Sequence, residues 1–228
     1  MLVGDIYTMG NDSKILSSGK RFCLIFIPLV IITSAVLCGF LRQKLDKQRT
    51  DILSSERRNA GLLLRTATNS LQTVLVDLVH LTAQPTLYQM LEHDQPVYSR
   101  QLADTFLTFC RERGLYDQVR FIDETGMERV RVNFGQGQPY IVDDENLQDK
   151  AGRYYFTDTF KLEPSSVYVS PFDLNIEQGI IEQPLKPMIR FGIPIEDIKG
   201  NKRGIVVLNY LGANLIDDLE QTPGASVG

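Results

Sequence analysis

The alternation of hydrophobic and polar positions divides the chain into stretches of different period. Phe22–Leu41, FCLIFIPLVIITSAVLCGFL, is 20 residues without a charge, set between Lys20–Arg21 and Arg42. At 1.5 Å per residue it is long enough to cross a hydrocarbon core of about 30 Å. From Gln43 to Leu81 the apolar residues Leu53, Ala60, Leu64, Ala67, Leu71, Val74, Leu78 and Leu81 are spaced by steps of four and three after the first gap. That spacing predicts one long helix of about 57 Å with a coiled-coil-like seam. A polar break follows from Pro85. Pro96 and Gly114 then bracket a second helix in which Leu102, Ala103, Phe106, Phe109 and Cys110 recur at helical spacing.

The period changes to two at Tyr116. Val119 and Phe121, then Val130, Val132 and Phe134, alternate with polar residues around Asp123-Glu124-Thr125-Gly126, which predicts a β-hairpin. Arg129, Arg131 and Asn133 share the other face of its second strand, which is either solvated or the wall of a pocket. Gly135–Asp149 reads as loop. Val167–Ser170, Met188–Pro194 and Arg203–Tyr210 read as three more strands, and Leu211–Glu220 as a closing helix. The expected fold is α+β: a membrane helix runs into a long helix packed on an antiparallel five-stranded sheet.

The loop of about 17 residues between Ser170 and Met188 is longer than a hairpin needs, and ordered loops of that length usually have a task. Pro171, Gly179, Pro184 and Pro187 restrict its backbone. It carries Asp173, Asn175, Glu177, Glu182 and Lys186, with Arg190 just beyond, which makes it a candidate binding loop. Asp173, Asn175 and Glu182 could equally cap turns, and Arg190 could be a structural partner of Glu177 or Glu182.

Composition removes several functions. A net charge of −4 with no basic stripe gives no reason to expect nucleic acid. Three cysteines make no disulfide framework, and His80 and His93 have no Cys or carboxylate at metal-ligand spacing, so no metal and no cofactor is expected. GxGxxG, P-loop and GxSxG motifs are absent. Asp173 with Glu177 or Glu182 could form the carboxylate pair of a hydrolase, but no nucleophile and base accompany them. The apolar run is longer than an ordinary signal-peptide core, and no small-x-small cleavage site follows it. The charges flanking it, Lys14, Lys20 and Arg21 before and Arg42, Lys44, Lys47, Arg49, Arg57 and Arg58 after, favour a cytoplasmic carboxyl side on a positive-inside count.

Taken together, VRFIDETGMERVRVN, LQDKAGRYYF, VYVSPFDLNIEQGIIEQPLKPMIRFGIP and GIVVLNYLGANLIDDL resemble the double Cache (PAS-like, PDC) sensor domain of bacterial histidine kinases, diguanylate cyclases and chemoreceptors. The resemblance runs from Gln43 to the end and implies a domain outside the inner membrane, in the periplasm, opposite to the charge count. It implies a tail at 1–19, a membrane helix at 20–42, a signalling helix at 43–81, a membrane-distal sensor module at 82–220 and the start of a membrane-proximal module at 221–228. It makes this chain the amino-terminal, sensing part of a receptor whose output domain lies elsewhere. The chain itself is then not an enzyme. Implied partners are a small polar ligand such as a carboxylate, the membrane, and a second copy through the long helix; the alternative is a protein partner. The ligand residues implied are Arg153, Tyr155, Tyr168, Ser170, Asp173, Asn175 and Arg190. Where the amino-acid-sensing version has an Arg-x-Trp-Tyr run, this sequence has Arg153-Tyr154-Tyr155-Phe156 and no tryptophan, so amino-acid specificity does not carry over.

Overall fold

The computed structural model describes residues 9–93, 95–135, 137–177 and 180–223. Residues 1–8 of the amino-terminal tail, Gly179 of the binding loop and residues 224–228 lie outside that set. The first helix, α1, spans Met9–Thr82. The chain divides at Ala60/Gly61 into two compact units. In the first, the apolar side chains of Leu24, Ile25, Ile31 and Val36 stand exposed on a helix with a mean hydropathy of 2.7 over its best 18-residue window. By length and composition that helix can cross a membrane.

The second unit starts with the remainder of α1 and adds α2 (Pro85–Glu92) and α3 (Pro96–Arg113). Pro96 begins α3, and Gly114 ends it in the left-handed conformation at φ 64°, as the Pro/Gly bracket requires. α2 forms where the sequence suggests a polar break; Pro85 starts it and Leu87 is buried beneath it.

The sheet is antiparallel in the order β3-β2-β1-β9-β8-β4, with β5 also on β8. Its strands are β1 (Tyr116–Asp123), β2 (Glu128–Gly135), β3 (Gln138–Ile141), β4 (Tyr168–Val169), β5 (Asp173–Leu174), β8 (Pro187–Glu196) and β9 (Lys202–Leu211). All five expected strands are present; the short β3 and β5 extend the sheet to seven. The reading of Gly135–Asp149 as loop is corrected by β3 and a 3-10 turn at Asp144–Asn146. A separate hairpin, β6 (Ile176–Glu177) and β7 (Ile180–Ile181), lies in the binding loop. α4 (Tyr154–Lys161) and α5 (Gly212–Glu220) complete the unit.

Cross-strand register sorts the side chains onto two faces. On one, Val119, Phe121, Val132, Phe191, Val206 and Leu208 pack against Val74, Leu78, Leu81, Leu102 and Phe106 of the helices. On the other, Ile122, Ile205 and Val207 pack against Tyr155 and Phe156 of α4. The first face explains the fate of the long seam. Val74, Leu78 and Leu81 are buried on the sheet, whereas Leu64, within the same unit, is exposed.

α4 is held close to the sheet by two contacts. A Cβ on Gly192 of β8 would lie 2.5 Å from Thr159 Oγ1, so only glycine lets the helix approach. A Cβ on Gly126, at φ 91° in the hairpin turn, would lie 2.5 Å from Ala151 just before the helix. The turn is also tied to that segment by Lys150 N donating to Gly126 O at 2.7 Å.

Candidate functional site

The second sheet face carries an unusual number of buried polar side chains. Gln118 stands opposite Asn133 on one side and Asn209 on the other; Arg120 stands opposite Arg131; Asn209 stands opposite Arg190. Arg120, Arg190 and Asn209 are each at most 2% exposed. An apolar set in these places would avoid the cost of desolvating charge, so each charge there needs a partner or a purpose.

A β-bulge brings one such partner. Phe121 faces Val130 but Ile122 faces Glu128, so Arg129 is the extra residue of β2. Arg129 is thrown outward onto Asp123, at 3.4 Å, and Glu128 turns inward. The expectation that Arg129, Arg131 and Asn133 share a face therefore fails at Arg129. The carboxylate of Glu128 meets Arg131 Nη1 at 3.2 Å and Arg120 Nη1 at 3.4 Å, and accepts Gln148 N at 3.0 Å.

Tyr155 is the centre of the site. Its ring is buried by α4, with the guanidinium carbons of Arg120, Arg190 and Arg153 at 5.2, 5.3 and 5.8 Å from its centroid. Arg120 Nη1 also donates to the Tyr155 hydroxyl at 3.1 Å, and its Nη2 to Asn209 Oδ1 at 2.7 Å. Arg190 uses Nη1 on the carboxylate of Asp173 and Nη2 on Asn175 Oδ1 at 3.1 Å, while its Nε has no hydrogen-bond partner. Tyr154 donates its hydroxyl to the other oxygen of Asp173.

The chain continues through the loop. Asn175 Nδ2 donates to Glu182 Oε2 at 2.8 Å; Glu182 pairs with Lys186 at 2.6 Å; Lys186 reaches Asp117 on β1 at 3.2 Å. Residues 171–177 and 180–186 thus form a strap laid over the polar face, with a cis bond at Gln183–Pro184. Burial and the hydrogen bond to Asp173 push the Tyr154 phenol up; burial, with Asp158 and Asp173 nearby, does the same for Tyr168. Burial raises the Asp117 carboxyl against the pull of Lys186. Partial burial works to lower Lys186, but its bonds to Glu182 and Asp117 outweigh that and hold it above its usual value.

Of the seven residues expected, Arg153, Tyr155, Asp173, Asn175 and Arg190 are brought into one connected cluster. Ser170 joins it through the backbone: its hydroxyl accepts Arg190 N at 2.9 Å and donates to Pro171 O at 2.7 Å. Tyr168 packs beside the Tyr155–Phe156 group. The carboxylate on Arg190 is that of Asp173, and Glu182 reaches Arg190 only through Asn175; the side chain of Glu177 lies outside the described residues. Sequence reasoning missed Arg120, Glu128, Tyr154 and Asn209. The alternation around Val119 and Phe121 did place Arg120 on the other face, but nothing local shows that α4 covers it. Among the described residues no group of three His, Cys, Asp or Glu could hold a metal ion.

Beside the cluster, on the same face, lies an open cavity of about 660 Å³ lined by Gln118, Arg131, Asn133, Tyr140, residues 141–143 and 145–148, Glu182 and Lys186 among others. None of the seven expected residues lines it.

Comparison with known families matches residues 65–227 to the model described as "Bacterial histidine kinase, sensor domain". Comparison with curated proteins finds no match. Among solved structures, the chain is similar to a domain of a sensory box/GGDEF family protein from Vibrio parahaemolyticus, with 24% identity and a TM-score of 0.64 over 75% of this chain and 66% of that one. It is similar to the extracellular domain assigned to the histidine kinase vpHK1S-Z8, with 23% identity and a TM-score of 0.58 over 73% of this chain and 64% of that one. The ligand-binding domain of the Campylobacter jejuni chemoreceptor Tlp3, in complex with 4-methylisoleucine, matches at 15% identity and a TM-score of 0.56, over 75% and 64%. At these identities the likeness is one of fold, and the chain spans about two thirds of each structure's length.

Proposed function

The chain belongs to the family of bacterial histidine kinase sensor domains, and on that premise we propose that it senses a small carboxylate-bearing ligand at the Arg190 cluster. The observation that carries this reading is the way the Arg190 fork is closed. The Arg190 side chain is 2% exposed on an interior strand, and the carboxylate on it comes from Asp173, whose side chain is 34% exposed on the strap. A ligand carboxylate can exchange with Asp173 and take both Nη groups of the fork bidentately. Tyr155 supplies the wall, Arg153 a second cation, and Tyr154 and Asn175 hydrogen bonds. The role is binding rather than catalysis; a kinase or cyclase output belongs to a longer protein.

In this reading α1 anchors the chain in the bacterial inner membrane, the folded unit faces the periplasm, and two copies associate through the long helix. Exchange at Arg190 loosens the strap and shifts the balance between two arrangements of the helix pair. The test is a thermal-shift screen of the purified chain in detergent against amino acids, mono- and dicarboxylates. Small carboxylates raise the melting temperature of the wild-type protein and leave Arg190→Gln unmoved; a complete screen without a stabilising carboxylate refutes the reading. Alkaline phosphatase fused after Glu220 is active if the unit is periplasmic, and inactive if the charge count around the membrane helix prevails.

A specific observation favours a second reading, in which the partner is a protein. Phe172, Ile180, Ile181 and Leu185 on the strap are 52%, 73%, 45% and 56% exposed, a cluster of apolar side chains of the kind found at protein contacts.

A further inference from the structure

We propose that the 660 Å³ cavity beside the Arg190 cluster is a second binding site, and that it takes a neutral polyhydroxylated ligand, a sugar or cyclic polyol. Its volume lies within the range of about 300–1,000 Å³ typical of small-molecule sites. β1, β2 and β3 each contribute to its lining, together with the segment that follows β3 and with Glu182 and Lys186 of the strap.

The donors and acceptors define the class. Four carboxamides, those of Gln118, Asn133, Asn146 and Gln148, line the space. Part of this capacity is used within the fold: Asn133 accepts Arg131 Nε and donates to Tyr140, Gln148 Oε1 accepts Lys150 Nζ at 2.6 Å and Gln118 Oε1 accepts Asn209 Nδ2 at 3.1 Å. A carboxamide has two N–H groups and two lone pairs, so one already holding a partner can still meet a hydroxyl, which also gives one bond and takes one. The two cations in the lining are already engaged. Lys186 is held by Glu182 at 2.6 Å and Asp117 at 3.2 Å; Arg131 is held by Glu128 at 3.2 Å and by Asn133 Oδ1 at 2.9 Å. The lining also holds four carboxylates, Asp117, Asp143, Glu145 and Glu182, against those two cations, which disfavours an anion. A metal cation is disfavoured too, because no three of the described carboxylates, histidines or cysteines are poised to ligate one. Paired charges of this sort present fixed lone pairs and N–H groups to hydroxyls.

Tyr140 completes the site. It is 50% exposed at the cavity, and its hydroxyl accepts Asn133 Nδ2 at 3.2 Å, which steadies the ring. A half-exposed aromatic ring gives the C–H face of a sugar a surface to stack on, with hydroxyls pointing to the carboxamides. The two sites share a wall, since Glu182 lines the cavity and also accepts Asn175, which holds Arg190.

The experiment is isothermal titration of the full chain in detergent with D-glucose, D-galactose, maltose and myo-inositol at millimolar concentration, repeated on Tyr140→Ala, Gln148→Ala and Arg153→Ala. At least one probe binds the wild type. Tyr140→Ala or Gln148→Ala weakens it by about tenfold, the loss of one stacking surface or one hydrogen bond. Arg153→Ala, in the neighbouring cluster, leaves the affinity as it was. If none of the four probes binds, or if binding survives both cavity variants, the proposal is wrong. If Arg153→Ala abolishes binding, the polyol sits at the Arg190 cluster and the cavity assignment falls while a single sensing site stands.

Discussion

Asp77 near the end of α1 accepts the hydroxyl of Tyr116, the first residue of β1, at 2.6 Å. Its other oxygen lies 2.6 Å from Arg113 Nη2 at the end of α3. The carboxylate is fully buried and joins three elements, one of them the long helix. Removing the carboxylate leaves the buried Tyr116 hydroxyl without its acceptor, which typically costs about 1–3 kcal/mol, while Arg113, whose side chain is 45% exposed, can turn to water. Asp77→Ala is expected to lose stability on that scale, and Asp77→Asn less, because the amide oxygen still accepts the tyrosine. Urea unfolding followed by near-UV circular dichroism measures both; an Asp77→Ala protein as stable as wild type would show that the triad holds nothing.

Gly192→Ala puts a methyl group onto Thr159 Oγ1 and Cγ2, at 2.5 and 2.9 Å. The overpacking is expected to cost about 1–3 kcal/mol. The same change combined with Thr159→Ala relieves the clash, so the double variant is more stable than the sum of the two single effects predicts. Additive losses in a double-mutant cycle would mean that α4 does not approach β8 through this pair.

Asp173→Asn removes the internal carboxylate that competes for Arg190. Affinity for a small carboxylate is expected to rise about tenfold, as it does when a competing closed state is depopulated, while Arg190→Gln abolishes binding. Titration calorimetry distinguishes the cases. Weaker binding by Asp173→Asn would show that Asp173 contacts the ligand directly.

Alkaline pH is expected to destabilise the folded unit early. Burial pushes the Cys110 thiol up to about 12 from 9.0, and burial, with Asp218 nearby, pushes the Tyr210 phenol up to about 12 from 10.0. Both folded values lie above the unfolded ones, so the stabilisation is complete below pH 9 and is lost as pH rises toward 12. Each group contributes a slope of about 1.4 kcal/mol per pH unit within its window. Urea midpoints taken from pH 8 to pH 10 fall for the wild type and fall less for Cys110→Val; equal slopes would remove the thiol from the account.

The parts of the fold legible in the sequence are those whose local signals agree with their surroundings. Pro96 and Gly114 bound α3, and the strict alternation from Val119 to Phe134 gives β1 and β2. α4 is not legible, because YYFTDTFK is rich in aromatic and β-branched residues with weak helix preference. It is a helix because Tyr155, Phe156 and Thr159 fit against Ile122, Val207 and Gly192. Missing that helix has a consequence for the site. Asp173, Asn175 and Arg190 stand out as polar residues in a stiff loop and its exit strand, but Arg120 and Asn209 read as solvent-facing alternates of apolar strands. Only a helix arriving from elsewhere in the chain turns that face into an interior. The bulge at Arg129 is equally silent in the sequence, since a single extra residue changes which of Glu128 and Arg129 points inward without altering the composition.

The contacts of α5 bear on how a movement could leave this unit. Ser70 donates to Asp218 Oδ2 at 2.6 Å, and Thr66 and Thr222 share a hydrogen bond at 3.0 Å, so the segment by which the chain enters the fold and the one by which it leaves are laced side by side. A pull between these two ends loads that lacing in shear before it reaches the sheet. On the sensing function proposed above, these few polar bonds would act as a fuse between the entering helix and the Asp218–Thr222 segment, yielding as slip before the sheet is disturbed.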